Sequence, residues 1–144
     1  MSFPKMTAST ILLVAGVLLG VFLLWRGYVG GGDAVLAATN TNVRNLSATE
    51  ARVWLREHPS AQLLDVRSAG EHADGAIAGS INISIGDAEF EAKVRSQFDV
   101  TRPVFVYCAS GMRSRRALPR LQSIGFGEIG HLDGGYRSWD EAAR

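Results

Sequence analysis

A single cysteine, Cys108, begins a short segment whose residue types suit sulfur chemistry. It follows the apolar run PVFVY and opens the segment CASGMRS, in which Gly111 permits a tight turn and Ser114 can cap a following helix. Successive backbone N–H groups in such a turn, together with a helix amino terminus, favour negative charge. The segment therefore predicts a cradle for a thiolate or a persulfide anion.

The ionisation state of Cys108 decides whether it reacts. An ordinary cysteine has a pKa near 8.5, whereas cysteines at helix amino termini or beside cations fall to about 3.5 to 7.5. A decrease of about two units, worth roughly 2.7 kcal/mol, would make most of the thiol nucleophilic at pH 7. The positive charge nearby comes from Arg113, Arg115, Arg116 and Arg120. The alternatives are a solvated helix face for Arg116 and Arg120, and an unreactive core thiol for Cys108.

Length and composition restrict the class of protein. The 144 residues carry a net charge of +1, which fits one domain and provides no basic field for nucleic acid. One cysteine cannot form an internal disulfide, and His58, His72 and His131 lie too far apart in sequence for zinc-ligand spacing. We expect no metal and no cofactor.

The hydrophobic pattern indicates the elements that position Cys108. Brief apolar runs typical of buried parallel strands occur at Gln62–Val66 and Pro103–Tyr107, and Glu128–Leu132 offers another strand. Apolar residues at helical spacing are Ala51, Trp54 and Leu55, then Phe90, Val94 and Phe98, then Leu118, Leu121 and Ile124. Strands that alternate with helices predict an α/β fold with a parallel sheet covered on both faces.

Local signals mark where helices begin and end. Ser47 and Glu50 form a capping box, and Pro59 ends the helix that follows. Gly125 and Gly127 end a later helix.

Two polar clusters follow predicted strands. One is Asp65-Val66-Arg67 and the other begins at Cys108. Sites in open parallel sheets lie beyond the carboxyl ends of the strands, so the two clusters are expected to converge on one pocket.

The residues before the domain predict a membrane anchor. No charged residue occurs from Met6 to Trp25, and a run of roughly 20 such residues matches the length of a membrane-spanning helix. Lys5 and Arg26 bracket the run, and Tyr28 joins Trp25 as an interfacial aromatic. We therefore predict a transmembrane helix over residues 6–26.

A cleaved signal peptide is the alternative for this segment. Arg26 directly follows the apolar core, and the nearest small-residue cleavage site, at residues 35–37, lies far downstream. A buried helix of a soluble fold is disfavoured because the run has no polar face. Residues 27–42, rich in Gly, Ala, Thr and Asn, predict a flexible linker, and the domain is expected over residues 43–144.

The sequence resembles the rhodanese family of sulfurtransferases. Three stretches carry the resemblance in the family's order: LLDVRSAGEHADGAIAGSINI, VFVYCASGMRS and GFGEIGHLDGGYRSW. The resemblance implies a five-stranded parallel sheet with flanking helices. It also implies a cycle in which a cysteine accepts sulfane sulfur from a donor such as thiosulfate and hands it to a thiol or cyanide.

The resemblance assigns site residues by position. Cys108 matches the persulfide carrier, and the substrate-binding loop that wraps it corresponds to Ala109, Ser110, Gly111, Met112 and Arg113. Asp65, Arg67 and Glu71 match a polar group after the first core strand, which we interpret as mainly structural, and Ser114 supports the loop. A small anionic donor is the expected substrate, and no protein partner is indicated.

The chain departs from the family pattern at three positions. Ala76 replaces the usual histidine of the first signature, and His72 replaces an aromatic residue. Pro119 falls just past the first turn of the helix after the loop, where it removes a backbone donor. These changes are expected to affect packing and the loop angle more than activity.

Two other functions share this architecture. Cell-cycle dual-specificity phosphatases place five residues between cysteine and arginine, whereas four separate Cys108 from Arg113, and Tyr107 stands where phosphatases usually have histidine. The smaller loop suits one sulfur atom better than a phosphate. A non-catalytic binding or sensing module at the membrane is the second alternative, which the presence of Cys108, Gly111 and Arg113 disfavours.

The charges that flank the predicted helix bear on cellular location. We expect a single-pass protein of the bacterial inner membrane. Lys5 and the amino terminus nearly balance Arg26 and Arg44, so topology is weakly determined. A cytoplasmic domain is favoured because reductants are plentiful there.

Overall fold

Five parallel strands form the sheet of this computed structural model, in which residues 41–144 are described. The strand order is β1-β5-β4-β2-β3, and every pairing is parallel. The elements along the chain are β1 (Asn42–Leu46), α1 (Ala48–Glu57), β2 (Gln62–Asp65), α2 (Ala69–Ala73), β3 (Ser80–Asn82), α3 (Phe90–Gln97), β4 (Val104–Tyr107), α4 (Met112–Ile124), β5 (Glu128–Leu132) and α5 (Gly135–Glu141). The predicted five-stranded parallel sheet is confirmed.

The central strand β4 explains why helices cover both faces of the sheet. All four of its residues are buried, and successive side chains of a strand point to opposite faces. Val104 and Val106 pack in the cluster that contains the apolar residues of α3 and α4. Phe105 and Tyr107 pack in the other cluster, with residues of α1 and α5. Each helix pair therefore buries its apolar stripe against one face.

Capping boxes begin the two helices on either side of β2. In α1, the Ser47 hydroxyl accepts the Glu50 N–H while the Glu50 carboxylate accepts the Ser47 N–H, as predicted. In α2, Ser68 and Glu71 make the same reciprocal bonds. The second box fixes the backbone that carries Glu71, a residue that contacts the Cys108 loop.

The start of α4 corrects one sequence-based prediction. Its N-cap residue is Gly111, with φ +90°, and no side chain caps the helix. Ser114 lies inside the first turn, and its hydroxyl accordingly faces the loop rather than the free N–H groups of the helix end. The helix continues through Pro119 to Ile124.

The predicted membrane helix over residues 6–26 lies outside the described residues, as does most of the predicted linker. Among residues 41–144, no helix is both long and apolar enough to cross a membrane. Strand β1 begins at Asn42, one position before the domain start that the sequence indicated.

Candidate active site

Cys108 follows the central strand of the sheet, at the carboxyl ends of its neighbours. Strand β4 pairs with β2 on one side and β5 on the other. Asp65 at the end of β2 lies opposite Tyr107, and the N–H of Val66 donates to the carbonyl of Tyr107 at 3.0 Å. The two predicted polar clusters therefore do lie side by side at the sheet edge where parallel α/β folds place their sites.

The loop after Cys108 folds back over its sulfur. The N–H of Gly111 donates to Cys108 Sγ at 3.2 Å, and the Ser114 hydroxyl lies 3.5 Å from the same atom. Gly111 has φ +90°, a left-handed conformation that side chains disfavour, and this turn is what aims its N–H inward. The sulfur thus sits at the amino terminus of α4 within a ring of donors.

These donors make the Cys108 thiol more acidic. Burial favours the neutral thiol, since Cys108 is 0% exposed. The Ser114 hydroxyl and the backbone N–H groups of Ser110, Arg113 and Ser114 outweigh that effect, so the pKa of Cys108 lies below its ordinary value. Hydrogen bonds to the charged form are the physical cause, as expected for a thiolate at a helix amino terminus.

The backbone segment that follows β5 binds the Cys108 loop through hydrogen bonds. The N–H of Tyr136 donates to the carbonyl of Cys108 at 2.7 Å, and the N–H of Arg137 to that of Ala109 at 3.2 Å. Gly135 makes this approach possible, because a Cβ atom there would lie 2.5 Å from the Cys108 carbonyl oxygen and 2.5 Å from the Ser110 nitrogen. Sequence analysis did not assign Gly135 to the site, although the pair Gly134-Gly135 was its available signal.

Arg113 does not point its guanidinium freely at the sulfur. It forms a bidentate ion pair with Glu71, at 2.7 and 2.5 Å. The pair lowers the pKa of Glu71 to about 2, chiefly through the side-chain hydrogen bond from Arg113. Both side chains are about one third exposed. Glu71 therefore partly neutralises the positive charge that was expected to attract the sulfur donor.

Two further arginines of α4, Arg115 and Arg120, have partners away from the sulfur. Arg115 pairs with Asp133 at 3.1 Å. Arg120 pairs with Glu91 and also donates to the carbonyl of Ile85 at 3.0 Å. Arg116 is exposed on the helix. Arg120 therefore joins α4 to α3, which differs both from a role at the sulfur and from the solvated helix face that was the alternative.

A structural unit beside the loop consists of the buried residues Asp65 and Arg67 and the partly exposed His72. Asp65 is 0% exposed, receives bonds from the Arg67 side chain at 2.6 to 3.0 Å, and lies 2.9 Å from His72 Nδ1. Arg67 also donates to the carbonyl of Gly75 at 2.7 Å, and its guanidinium stacks 4.5 Å from the ring centre of Tyr136. The unit thereby joins β2 to the turn after α2 and to α5.

The outer part of the loop is open while its sulfur is enclosed. Ser110 and Met112 are exposed, Met112 by 61%, and Ala109 and Arg113 are partly exposed. These residues can contact a molecule that approaches the loop. Within residues 41–144, no group of three or more His, Cys, Asp or Glu side chains could hold a metal ion.

His131, which sequence analysis mentioned only in excluding a zinc site, lies on the strand next to Cys108. His131 on β5 is buried, and its Nε2 lies 3.0 Å from the Ser114 hydroxyl. Its Nδ1 lies 3.0 Å from Asn45 Oδ1 on β1. The available signal was a polar residue within IGHL, the otherwise apolar part of this strand that follows Glu128.

Comparison with known proteins agrees with this geometry. The model of the rhodanese-like domain family matches residues 47–142, which include the strand–loop–helix unit of Cys108. The chain belongs to the rhodanese-like family. The resemblance recognised in the three sequence stretches is therefore confirmed.

Relatives of this rhodanese-like chain include named enzymes. The thiosulfate sulfurtransferase GlpE of Shewanella oneidensis is 32% identical over 102 residues, which is 71% of this chain and 97% of GlpE. The uncharacterised protein YqhL of Bacillus subtilis is 33% identical over 97 residues, 67% of this chain and 72% of YqhL.

Solved structures show the same fold. The crystal structure of the Alr3790 protein from Anabaena is similar with a TM-score of 0.60 and 26% identity, covering 67% of this chain and 77% of that one. A rhodanese-like domain protein from Staphylococcus aureus is similar with a TM-score of 0.57 and 25% identity, covering 67% and 90%.

Proposed function

We propose that this rhodanese-like protein is a sulfurtransferase that carries sulfane sulfur on Cys108 as a persulfide. The observation that carries the proposal is the set of hydrogen-bond donors around Cys108 Sγ, from the Gly111 N–H and the Ser114 hydroxyl. Donors arranged in this way stabilise an anionic sulfur before any substrate is present, which is what a nucleophilic thiol requires.

The reaction has two steps that share one intermediate. In the first, the Cys108 thiolate attacks the sulfane sulfur of the donor and a new S–S bond forms. The bond between that sulfur and the rest of the donor breaks, and the rest of the donor leaves with the electron pair. Thiosulfate would release sulfite in this step. In the second, a nucleophile such as a thiol or cyanide attacks the terminal sulfur, and Cys108 leaves again as a thiolate. The helix amino terminus stabilises the anion in both states.

The exposed rim of the loop supports a small donor. Ala109, Ser110 and Met112 line the approach, and Arg113 adds charge that Glu71 partly neutralises. A small anion such as thiosulfate or a low-molecular persulfide is the donor class we propose. With one cysteine in the chain, the acceptor must come from outside it.

Intact-protein mass spectrometry tests the carrier directly. The purified protein is incubated with thiosulfate, and the mass of the chain should rise by one sulfur atom. The matched control is Cys108→Ser, which keeps the approximate size of the side chain but is not ionised at neutral pH. This variant should stay folded, gain no mass and form no thiocyanate from cyanide.

The outcomes separate donor from carrier. Turnover by the Cys108→Ser variant would contradict the persulfide mechanism. A wild-type protein that is inert to thiosulfate but gains sulfur from organic persulfides would change only the donor. A wild-type protein that accepts sulfur from neither class would favour a non-catalytic binding or sensing module.

We also propose that the chain is anchored in a membrane by residues 6–26. The support is the uncharged apolar run from Met6 to Trp25 and its flanking Lys5 and Arg26. The protein should then remain with membranes after carbonate extraction, and a variant that starts at Asn40 should be recovered in the soluble fraction. Recovery of a shortened wild-type chain would support signal-peptide cleavage instead.

A further inference from the structure

A line of hydrogen bonds leads from Cys108 through the core to the edge strand β1. It runs from Cys108 Sγ to the Ser114 hydroxyl at 3.5 Å, and from that hydroxyl to His131 Nε2 at 3.0 Å. It ends with His131 Nδ1 at 3.0 Å from Asn45 Oδ1. Ser114 and His131 are both fully buried, whereas Asn45 is exposed. The sulfur is therefore connected to a titratable ring that the proposed reaction does not itself require.

Oxygen atoms face both nitrogens of the His131 ring. Asn45 Oδ1 can only accept, so it fixes a proton on Nδ1. In a neutral ring Nε2 then carries a lone pair, and the Ser114 hydroxyl is the donor that can reach it. The carbonyl of Gly111 already accepts from the Arg115 N–H and lies 3.1 Å from the Ser114 hydroxyl. It lies 3.2 Å from Nε2 and accepts from the ring only when Nε2 is protonated as well. The surroundings are thus prepared for a second proton.

We propose that His131 takes up the thiol proton of Cys108 through the Ser114 hydroxyl and holds it while the sulfur is anionic. The S–H bond of Cys108 breaks as a proton moves to Ser114 Oγ, and the original hydroxyl proton of Ser114 moves to His131 Nε2. The products are a thiolate, an unchanged serine and an imidazolium. Net charge and proton count are conserved.

The product state satisfies every group in the line. Nδ1–H donates to Asn45 Oδ1, and Nε2–H donates to the carbonyl of Gly111 or to Ser114 Oγ. The Ser114 hydroxyl is then free to donate to the Cys108 thiolate. His131 does not contact the sulfur, so it is a positioning residue that acts through Ser114.

The charged surroundings of His131 make the transfer depend on the thiolate. Burial lowers the pKa of His131, and Arg115 on α4 acts in the same direction. The carbonyl of Gly111 and the carboxylate of Asp133 act in the opposite direction, and Asp133 is itself paired with Arg115. On β1 the facing group is the uncharged amide of Asn45. A lone imidazolium is therefore disfavoured, and its proton is held only beside an anionic sulfur.

Nitrogen-15 NMR of the histidine rings tests this coupling without any sulfur donor. The inference rests on the proposed function only in taking Cys108 as the reactive thiol, so it can fail while sulfur transfer succeeds, or the reverse. In the full-length wild-type protein at a pH where Cys108 is ionised, both nitrogens of His131 should carry protons. In Cys108→Ser at the same pH, only Nδ1 should. The chain has three histidines, so the His131 signals are those that remain in both His58→Gln and His72→Gln.

The same protonation state in both proteins would overturn the proposal. So would a neutral His131 in a wild-type protein whose absorbance at 240 nm shows the thiolate. These two measurements use the wild-type side chain, and they decide the question even if His131 variants do not fold.

Thiolate titration provides a second, independent test. Absorbance at 240 nm is followed against pH, with Cys108→Ser as the blank. His131→Gln keeps an amide near Ser114 but cannot accept a proton, so the midpoint for Cys108 should rise by about one unit, a tenfold loss of thiolate. The matched control is His58→Gln, at a half-buried histidine stacked on Trp54, which should leave the midpoint unchanged. An unchanged midpoint in His131→Gln would contradict the relay.

Discussion

The α-carbon of Gly135 lies directly against the carbonyl group of Cys108, since a Cβ atom placed on it would come within 2.5 Å of that oxygen. Gly135 also has φ +65°, a conformation that other residues rarely adopt. The start of α5 and the Cys108 loop therefore pack closely together, backbone against backbone.

Gly135→Ala should consequently damage both stability and sulfur transfer. The left-handed conformation costs roughly 1–2 kcal/mol in a residue with a side chain, and overpacking against backbone adds about 1–3 kcal/mol. We expect a loss of at least about 2 kcal/mol in the free energy of unfolding, measured by urea denaturation. The matched control is Gly127→Ala, where no atom lies within 4 Å of the added methyl. Equal stability of the two variants would contradict this close packing.

Asp65→Asn tests the interpretation that the cluster beside the loop is structural. The substitution leaves the buried Arg67 without a charged partner, which typically costs about 3–5 kcal/mol. Asp87→Asn breaks a more exposed ion pair, with Lys93, and should lower the free energy of unfolding much less than Asp65→Asn does. Unfolding free energies from urea denaturation distinguish the two. A stable Asp65→Asn variant without sulfur transfer would instead give Asp65 a direct role.

Glu71 and Arg113 should have opposite effects on the use of anionic donors. Arg113→Ala removes positive charge beside the loop and should raise KM for thiosulfate about fivefold, which corresponds to roughly 1 kcal/mol for a partly exposed charge. Glu71→Gln frees the guanidinium and should lower KM. Arg116→Ala, on the exposed side of α4, is the control and should change KM little. If Arg113→Ala lowers the free energy of unfolding but leaves KM unchanged, the role of Arg113 is structural.

The same ion pair predicts a component of acid sensitivity. The pKa of Glu71 is lowered from 4.5 to about 2 in the folded chain, chiefly by its hydrogen bond with Arg113. A lowered pKa stabilises the fold fully above the unfolded value, and that contribution is lost as the pH falls from about 4.5 toward 2. The destabilisation caused by Glu71→Gln should therefore shrink over this range.

Urea denaturation at several pH values measures this effect. The matched background is Arg113→Ala, in which adding Glu71→Gln should produce a smaller pH dependence, because the hydrogen bonds from Ser68 still lower the pKa of Glu71. A difference between wild type and Glu71→Gln that stays constant from pH 6 to pH 3 would contradict the assignment.

The sequence alone determined the features that depend on neighbours along the chain. The run PVFVY is apolar at every position except its aromatic hydroxyl, so a buried central strand was readable before Cys108. The Ser47–Glu50 capping box spans a single turn, and both of its bonds form as the spacing indicated. The tight turn at Gly111 followed from the glycine itself. Together with the three family stretches, these local signals predicted the fold and the reactive loop.

Only the tertiary structure decided which groups reach the sulfur and which charges are shared. Arg113 meets Glu71 across 42 residues, and Ser114 meets His131 across 17. Spacing along the chain predicted a cationic loop and a Ser114 cap. It missed Glu71 and His131, because spacing does not reveal a partner that a distant segment supplies. The direction of the Ser114 hydroxyl depends on where Gly111 ends the loop, and the role of Gly135 depends on the backbone packed against it. Contacts between distant segments are set by the packing of the whole sheet, and they complete the site.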